Sequence, residues 1–267
     1  MSDRPIPPHG TVRLQREGAV AHVTLSNALR LNAMTRAMWR ELRDVFAALA
    51  DDNALRCIVL QGEGAAFCAG GDISEYPSFR FDEARLRQFH EDEVWTALQT
   101  LRDCPVPTVA QIEGACMGAG LEIASCCDVR LAGAGARFGA PIAKLGFPMA
   151  PREAALVRAA VGDVLARDML FAAGVHDAGF LLHVLPDAEL PAAARAHALR
   201  IAALAPQAAR LNKRTFSALQ RAAAPDRPGQ TAADAVADPW GNAYDYADSA
   251  EHREGIAAFL AKRPLSF

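Results

Sequence analysis

The sequence has no strong excess of charge, no long apolar run and no paired-cysteine motif, and each absence excludes a class of protein. Its 267 residues include 28 Lys and Arg against 31 Asp and Glu, for a net charge of -3. This balance gives no electrostatic reason to expect a nucleic-acid partner. No apolar stretch is long enough to span a bilayer, so we expect no membrane partner. With 51% hydrophobic residues, the chain can still bury a sizeable core.

The cysteines and the first residues indicate the compartment. None of the 6 cysteines belongs to a CxxC pair, and most lie in apolar surroundings. This favours buried free thiols in a reducing cytoplasm. Residues 1–10 are polar and proline-rich, without the charged-then-apolar pattern of a signal peptide. We therefore expect a frayed arm and a cytoplasmic protein.

Nucleotide and metal fingerprints are also missing. Residues 114–120 read GACMGAG, which lacks the GxGxxG spacing of dinucleotide-binding turns, and the chain contains no GxxxxGK[ST] phosphate loop. His90, Glu91 and Glu93 crowd one predicted helix, but no partner has the spacing of metal ligands. We read these three side chains as a solvated face and expect no metal site.

What is present is an alternation of strand and helix patterns, which predicts an α/β fold with parallel strand pairs. The predicted strands are residues 12–14, 19–25, 57–60, 109–113, 128–132 and 137–144. Helices are predicted after a Thr35 cap, over residues 81–102 and from about Ala119. Beyond about residue 152, the predicted helices are 192–204, 207–224 and 252–262, with a loop at 224–230. We expect a core over residues 1–195 and a helical C-terminal region over residues 196–267.

Two glycine-rich turns, residues 62–72 and 114–120, each follow a strand of buried type. Glycine permits positive φ and lets backbone N–H groups approach a ligand closely. Two such turns, if brought together, could aim two donors at one oxygen, as in an oxyanion hole. Glycines that only pack a strand against a helix explain the same pattern, so the turns alone leave both interpretations open.

Glu122 stands out among the charged residues because it falls in the first turn of an otherwise apolar helix. Burial would raise the pKa of this carboxyl group, while the helix N-terminus would lower it. A carboxyl group between those influences suits proton transfer, and a capping or salt-bridged glutamate is the alternative. Asp128, at the end of the same helix, is expected to be structural.

Other polar residues near the turns are weaker candidates. Asp72 and Glu75 follow the first glycine-rich turn and could reach a site, although Asp72 is better suited to fixing its own loop. Arg30 and Lys262 are candidates for contacting the phosphates of a cofactor.

Four stretches together resemble the crotonase superfamily, the enoyl-CoA hydratase/isomerase family. They are LNAM at residues 31–34, AFCAGGDI at 66–73, the segment 105–128 that ends IEGACMGAGLEIASCCD, and the segment 248–267 that ends HREGIAAFLAKRPLSF. They follow the family's order and cover nearly the whole chain. The resemblance implies a spiral of ββα units with a helical C-terminal region that drives trimerisation, as a homotrimer or a dimer of trimers. It also implies an acyl-CoA thioester substrate, with coenzyme A as part of that substrate and no other tightly bound cofactor.

The resemblance also implies roles for individual residues. By position, the N–H groups of Gly71 and Ala119 would bind the thioester oxygen, and Glu122 would be a catalytic acid or base. Residues around them are implied to contact the acyl-CoA: Arg30, Ala66, Cys68, Ala69, Gly70, Asp72, Ile73, Gly118 and Ile142.

The largest departure from the family is the second catalytic glutamate of its hydratases. That glutamate should follow Pro141 in a PExxLG motif, but the chain reads PIAKLG, with Ile142 in its place. The glycine-rich turn that usually follows is also altered, and residues 147–153 read FPMAPRE. We hypothesise that Glu153 compensates, because it lies in this altered turn.

Three functions remain compatible with the sequence. The first is an enoyl-CoA hydratase-type lyase with Glu122 as acid/base. The second is other crotonase chemistry, such as acyl-CoA decarboxylation, in which the oxyanion hole does most of the work; isomerases usually keep the glutamate that is absent here. The third is a non-catalytic acyl-CoA binding protein, against which the retained Glu122 argues.

Overall fold

The computed structural model describes residues 10–177, 180–223 and 245–267. The chain enters the fold through an antiparallel hairpin of β1 (Thr11–Glu17) and β2 (Val20–Ser26), which turns at Gly18. The two predicted strands are confirmed. Residues 1–9 of the predicted arm and the predicted loop at 224–230 lie outside the described residues.

The main sheet is parallel from β2 onward, as the alternating pattern predicted. Its further strands are β3 (Cys57–Gly62), β4 (Thr108–Ile112), β6 (Val129–Gly133) and β9 (His183–Leu185), in the order β1-β2-β3-β4-β6-β9. A smaller sheet joins β5 (Ala115–Met117), β7 (Arg137–Gly139) and β8 (Val175–His176). Strand β5 lies inside the second glycine-rich turn and was not predicted.

Helices cover both faces of the main sheet. In chain order they are α1 (Arg36–Ala50), α2 (Glu83–Gln88), α3 (Thr96–Asp103), α4 (Ala119–Cys126), α5 (Pro151–Val161), α6 (Asp163–Arg167), α7 (Leu190–Ala202), α8 (Pro206–Ala223) and α9 (Ala250–Ala261). Thr35 caps α1, and its hydroxyl accepts from the N–H of Met38 at 3.1 Å. A π-helical stretch, Phe89–Trp95, joins α2 to α3 within the predicted helix 81–102.

Strand β3 shows why its sequence is an unbroken apolar run. Ile58 and Leu60 face one core cluster, which includes side chains of α1 and α3. Cys57 and Val59 face the opposite cluster, where α7 packs on the sheet. A strand that is covered on both faces has no solvent side, so its residues need not alternate with polar ones. Residue 195, where we placed the end of the core, falls within α7, and the division there stays a prediction.

The prediction of an extended segment over residues 137–144 is wrong after Gly139. A 3-10 helix, Pro141–Leu145, follows instead and ends at Gly146, whose φ is 78°. Pro141 at the first helical position has a fixed φ and no N–H for a strand ladder, which favours the helical turn. The chain then enters α5 at Pro151, and this places Glu153 in the first turn of that helix.

The cysteines are free and buried, as predicted. Burial raises the pKa of the Cys57 and Cys68 thiols to about 12. These thiols are therefore neutral packing groups and not nucleophiles. Among the described helices, none combines the length and the apolar character that crossing a membrane requires.

Candidate active site

The two glycine-rich turns lie side by side. An isolated parallel bridge links them: the Cys68 N–H donates to the Ala115 carbonyl at 2.9 Å, and the Met117 N–H donates to the Cys68 carbonyl at 2.9 Å. A Cβ placed on Gly118 would lie only 3.7 Å from the Cα of Gly70. The two turns therefore meet at backbone distance beside the start of α4.

Glycine is required where the turns meet. Gly70 has a φ of +120°, and Gly118 has a φ of 47° with a ψ of -110°, which L side chains rarely adopt. The Gly118 N–H is used internally and donates to the Gly139 carbonyl at 2.8 Å. The next N–H groups, those of Gly71 and Ala119, have no acceptor among the described residues. Two free donors from adjoining turns suit an oxyanion hole.

Asp72 holds the first turn in shape, as predicted. Its carboxylate accepts from the N–H of Ser74 at 3.0 Å and from the Ser74 hydroxyl at 2.7 Å, and it pairs with the guanidinium of Arg30. Burial acts to raise the pKa of Asp72, but the hydrogen bonds from Ser74 and Arg30 outweigh it and lower that pKa. Glu75 accepts from the Arg36 N–H at 2.8 Å and so stabilises the start of α1.

The other residues that were predicted to contact acyl-CoA surround this junction with different degrees of exposure. Ala66 and Cys68 are buried, and their carbonyl oxygens accept hydrogen bonds from the protein itself. Ala69 is half-buried, whereas Ile73 is exposed. Ile142 is half-buried in the 3-10 helix before α5. Their contacts with a ligand stay predictions.

Glu122 lies in the first turn of α4, three residues after the free N–H of Ala119. Its side chain is buried, and the residue is only 7% exposed. Burial raises the pKa of Glu122 well above its usual value, the charge of Glu153 raises it further, and Arg80 opposes the shift. The low exposure argues against a solvated capping role, and the raised pKa favours the protonated form of the carboxyl group.

Glu153 is the second buried carboxyl group of the site. It occupies the first turn of α5, which packs against α4, and it is 3% exposed. Its Oε1 lies 2.8 Å from Nδ1 of His90. The residue that we singled out to replace the missing glutamate is therefore close enough to Glu122 for the two carboxyl groups to interact electrostatically.

The prediction of a solvated face at residues 90–93 is wrong for His90 and Glu93. His90 contacts Glu153, and Glu93 is 8% exposed and pairs with Arg36. These residues belong to the π-helical stretch Phe89–Trp95. A π turn changes which side chains share a face, so a pattern with a 3.6-residue period does not predict the buried side here.

Three further side chains border the site and carried no signal in the sequence. A Cβ on Gly71 would clash with the hydroxyl of Tyr76, so that hydroxyl lies directly beside the predicted oxyanion donor. The guanidinium carbon of Arg80 lies 4.5 Å from the Tyr76 ring centroid and 3.6 Å from that of Phe147. Burial raises the pKa of Tyr76, and the Arg80 charge opposes that shift.

Asp128 is structural, as predicted. Its carboxylate accepts from the N–H of Thr108 at 2.7 Å and lies 2.8 Å from the ammonium of Lys213 on α8. It therefore ties the end of α4 to β4 and α8. Lys262, the second candidate phosphate contact, is exposed directly after α9.

Within the described ranges, no group of three or more His, Cys, Asp or Glu side chains could hold a metal ion. The site is therefore built from two backbone N–H donors, two interacting carboxyl groups and one guanidinium. This set can stabilise negative charge on an oxygen and move protons at neighbouring atoms.

Comparison with known proteins agrees with this geometry. A family model described as enoyl-CoA hydratase/isomerase matches residues 15–267. A probable enoyl-CoA hydratase of Mycobacterium bovis is 30% identical over 96% of this chain and 97% of its own length. A short-chain-enoyl-CoA hydratase of Clostridium acetobutylicum is 31% identical over 77% of this chain and 80% of its own. The resemblance stated from the motifs is confirmed.

Solved structures show the same fold. The crystal structure of an enoyl-CoA hydratase/carnithine racemase from Magnetospirillum magneticum superposes with a TM-score of 0.87 at 35% identity, covering 96% of this chain and 95% of that one. A second structure, of an enoyl-CoA hydratase/isomerase family protein from Hyphomonas neptunium, gives a TM-score of 0.83 at 29% identity, with 96% and 97% coverage. The predicted fold class, an α/β crotonase-like core with a helical C-terminal region, is confirmed.

Proposed function

Because this chain belongs to the enoyl-CoA hydratase/isomerase family, we propose that it adds water across the α,β double bond of an enoyl-CoA thioester. One observation carries the proposal: Glu122 and Glu153 are buried together at the starts of adjoining helices. Hydration needs one proton taken from water and one delivered to the α-carbon, and two carboxyl groups supply both transfers. Glu153 then supplies the second carboxyl group, which Ile142 lacks.

The oxyanion hole performs the first task of this mechanism. The thioester oxygen accepts hydrogen bonds from the N–H groups of Gly71 and Ala119, which stabilise the negative charge that develops as water attacks the β-carbon. Each such donor contributes about 3 to 4 kcal/mol to transition-state stabilisation in comparable acyl-transfer sites. Gly70 and Gly118, each with a positive φ, shape the turns that present the two donors.

The two carboxyl groups divide the proton transfers. Glu153, oriented by His90, accepts a proton from the attacking water, whose oxygen bonds to the β-carbon. Glu122 donates its proton to the α-carbon as the enolate collapses, since burial and the charge of Glu153 keep this group protonated. Glu122 ends ionised and Glu153 protonated, and one proton passing from Glu153 to Glu122 restores the starting state.

The two buried carboxyl groups, Glu122 and Glu153, also help to distinguish hydration from the alternative functions. Decarboxylation is compatible with a single glutamate, whereas a second carboxyl group beside the first supports proton transfer at two carbons. Isomerisation of a 3-enoyl-CoA uses proton transfers of the same kind and is the second candidate. A binding protein without chemistry has no use for two buried carboxyl groups, whose burial destabilises the fold.

Mass spectrometry of the thioesters tests these readings. The protein is incubated with crotonyl-CoA, a 3-enoyl-CoA and a 2-carboxyacyl-CoA. Hydration predicts the addition of one water to crotonyl-CoA. A shift of the double bond in the 3-enoyl-CoA alone would instead assign an isomerase, and loss of carbon dioxide from the third would assign a decarboxylase.

Substitution of each carboxyl group tests the residue assignment. Glu153→Gln and Glu122→Gln are each expected to lower kcat for hydration by about 100- to 10,000-fold with little change in KM. Glu83→Gln, which alters an exposed carboxylate on α2, serves as the control and should leave both constants unchanged. Undiminished hydration in Glu153→Gln would overturn the role given to this residue.

We further propose a homotrimer or a dimer of trimers in the cytoplasm. Apolar side chains on α8 and α9 support the assembly, because Phe216 is 67% exposed, Ile256 is 53% exposed and Leu260 is 74% exposed. Buried free thiols support a reducing compartment. Coenzyme A enters as part of the substrate, and Arg30 and Lys262 are the proposed contacts for its phosphates.

A further inference from the structure

Arg80 is a cation beside the proposed active site that has no ionic partner among the described residues. Its guanidinium stacks on Phe147 at 3.6 Å and on Tyr76 at 4.5 Å from the ring centroids. The Nε atom is buried and has no hydrogen-bond partner among the described groups. A buried guanidinium donor without an acceptor is destabilising, so its retention calls for a ligand that supplies the acceptor.

Other arginines near the site are already neutralised. Arg30 pairs with Asp72 and Arg36 pairs with Glu93, whereas no carboxylate of the described residues lies within 4.0 Å of Arg80. The charge of Arg80 acts to lower the pKa of Glu122, but burial outweighs it and raises the pKa of this carboxyl group. The positive charge of Arg80 therefore remains available to an anion that binds beside the proposed active site.

Arg80 lies close to the place where the acyl group of the substrate would bind. Tyr76 contacts both the proposed oxyanion donor and Arg80. Its hydroxyl lies against Gly71, and its ring lies under the Arg80 guanidinium. An acyl group whose thioester oxygen is bound at Gly71 therefore extends from a point close to Arg80. The two rings, which lie at 70° to each other, hold the guanidinium between them. The N–H edges of a guanidinium fit the two oxygens of a carboxylate.

We propose that Arg80 selects enoyl-CoA substrates whose acyl chain carries a carboxylate. The inference rests on the proposed function, since it takes Gly71 as the site of the thioester oxygen. A neutral acyl chain would leave the guanidinium charge without an anion and its Nε donor without an acceptor. The site therefore discriminates against such a chain, as a hydrogen-bonding site rejects an analogue that lacks the bonding group.

Two acyl chains of equal length test the selection. Glutaconyl-CoA and 2-pentenoyl-CoA both have five acyl carbons, and they differ in a terminal carboxylate against a methyl group. The wild-type protein should show the higher kcat/KM for glutaconyl-CoA. Arg80→Met should lower kcat/KM for glutaconyl-CoA by at least about 30-fold, chiefly through KM, and change that for 2-pentenoyl-CoA by less than about 3-fold.

Two further variants complete the comparison. Arg80→Lys keeps the charge without the planar fork and should recover part of the loss for glutaconyl-CoA. Arg40→Met removes an exposed arginine of α1 and should leave kcat/KM unchanged for both substrates. An equal loss for both substrates in Arg80→Met would overturn the proposal, because it would mean that Arg80 acts on the thioester enolate or on the fold.

A binding measurement separates failure of this inference from failure of the hydratase proposal. Dissociation constants are measured for glutaryl-CoA and pentanoyl-CoA, which are saturated and need no turnover. A preference of the wild-type protein for glutaryl-CoA that disappears in Arg80→Met supports the selection even if no thioester is hydrated. Equal affinity of the wild-type protein for the two thioesters would overturn the selection, whether or not crotonyl-CoA is hydrated.

Discussion

His90 and Glu153 form a contact between two parts of the chain that sequence patterns do not connect: Nδ1 of the ring lies 2.8 Å from Oε1 of the carboxyl group. His90 belongs to the π-helical stretch Phe89–Trp95, and Glu153 belongs to the first turn of α5. The histidine side chain is 18% exposed and that of the glutamate 4%. When Nδ1 carries the proton, the ring donates to the carboxylate and restricts its orientation.

Loss of this contact should impair turnover more than binding. His90→Phe keeps a ring but removes the donor, and we expect kcat for hydration to fall about 10- to 100-fold, because a small misplacement of a catalytic group is enough for such a loss. His90→Asn places an amide N–H near the Nδ1 position and should restore most of kcat. Steady-state kinetics of both variants checks this, and equal activity of His90→Phe and the wild-type protein would contradict the positioning role.

The raised pKa of Glu122 predicts how stability depends on pH. The folded protein keeps this proton above pH 4.5, where the unfolded chain loses it, so the free energy of unfolding falls as pH rises from 4.5 through the raised pKa. The slope from this group approaches about 1.4 kcal/mol per pH unit. In Glu122→Gln this contribution is absent, so the variant should gain stability relative to wild type with increasing pH, although its kcat is expected to be lower.

Urea unfolding of both proteins at several values between pH 5 and pH 8 measures this difference. Glu83→Gln alters an exposed position, and its free energy of unfolding should change with pH as that of the wild-type protein does. A difference between Glu122→Gln and wild type that does not change with pH would contradict the raised pKa. Hydration by the wild-type protein should also decline on the alkaline side, since Glu122 must hold its proton.

Gly118→Ala tests the geometry of the oxyanion hole. Residue 118 has a φ of 47° and a ψ of -110°, and a side chain there strains the backbone by about 1 to 3 kcal/mol. Relief of the strain would move the neighbouring N–H of Ala119, and we expect kcat to fall about 100- to 1000-fold. Gly64→Ala is the matched control: its φ is +72°, no atom lies within 4 Å of the added Cβ, and only stability should decrease. Equal kcat in the two variants would argue against a donor at Ala119.

Lys213 connects α8 to the core through buried contacts. Its ammonium donates to the Val106 carbonyl at 2.8 Å and lies 2.8 Å from the Asp128 carboxylate. Lys213→Met should lower the free energy of unfolding by about 1 to 3 kcal/mol, because it leaves a buried carbonyl without its donor. Arg214→Met, at the adjacent exposed position, should change it by less than about 0.5 kcal/mol. Urea unfolding at one protein concentration compares them, and equal effects would contradict a specific role for Lys213.

Local patterns predicted most of the fold. The Thr35 cap, the buried run of β3 and the glycine-rich turns each follow from residues that are close together in the sequence, and the structure confirms them. The prediction was wrong at residues 140–144, where Pro141 and Gly146 favour a 3-10 turn over a strand. Helices α5 and α6 and strands β8 and β9 were not predicted either.

The sequence by itself determined the family, the two backbone turns and the candidacy of Glu122, because these depend on residue types at fixed short spacings. It also raised Glu153 as a replacement for the carboxyl group missing at Ile142. Only the tertiary structure decided that Glu153 is close enough to Glu122 to interact electrostatically and that His90 contacts Glu153. It also decided that Arg80 has no ionic partner within the described part of the chain. Burial and electrostatic interaction depend on which helices pack together, and spacing along the chain does not contain that information.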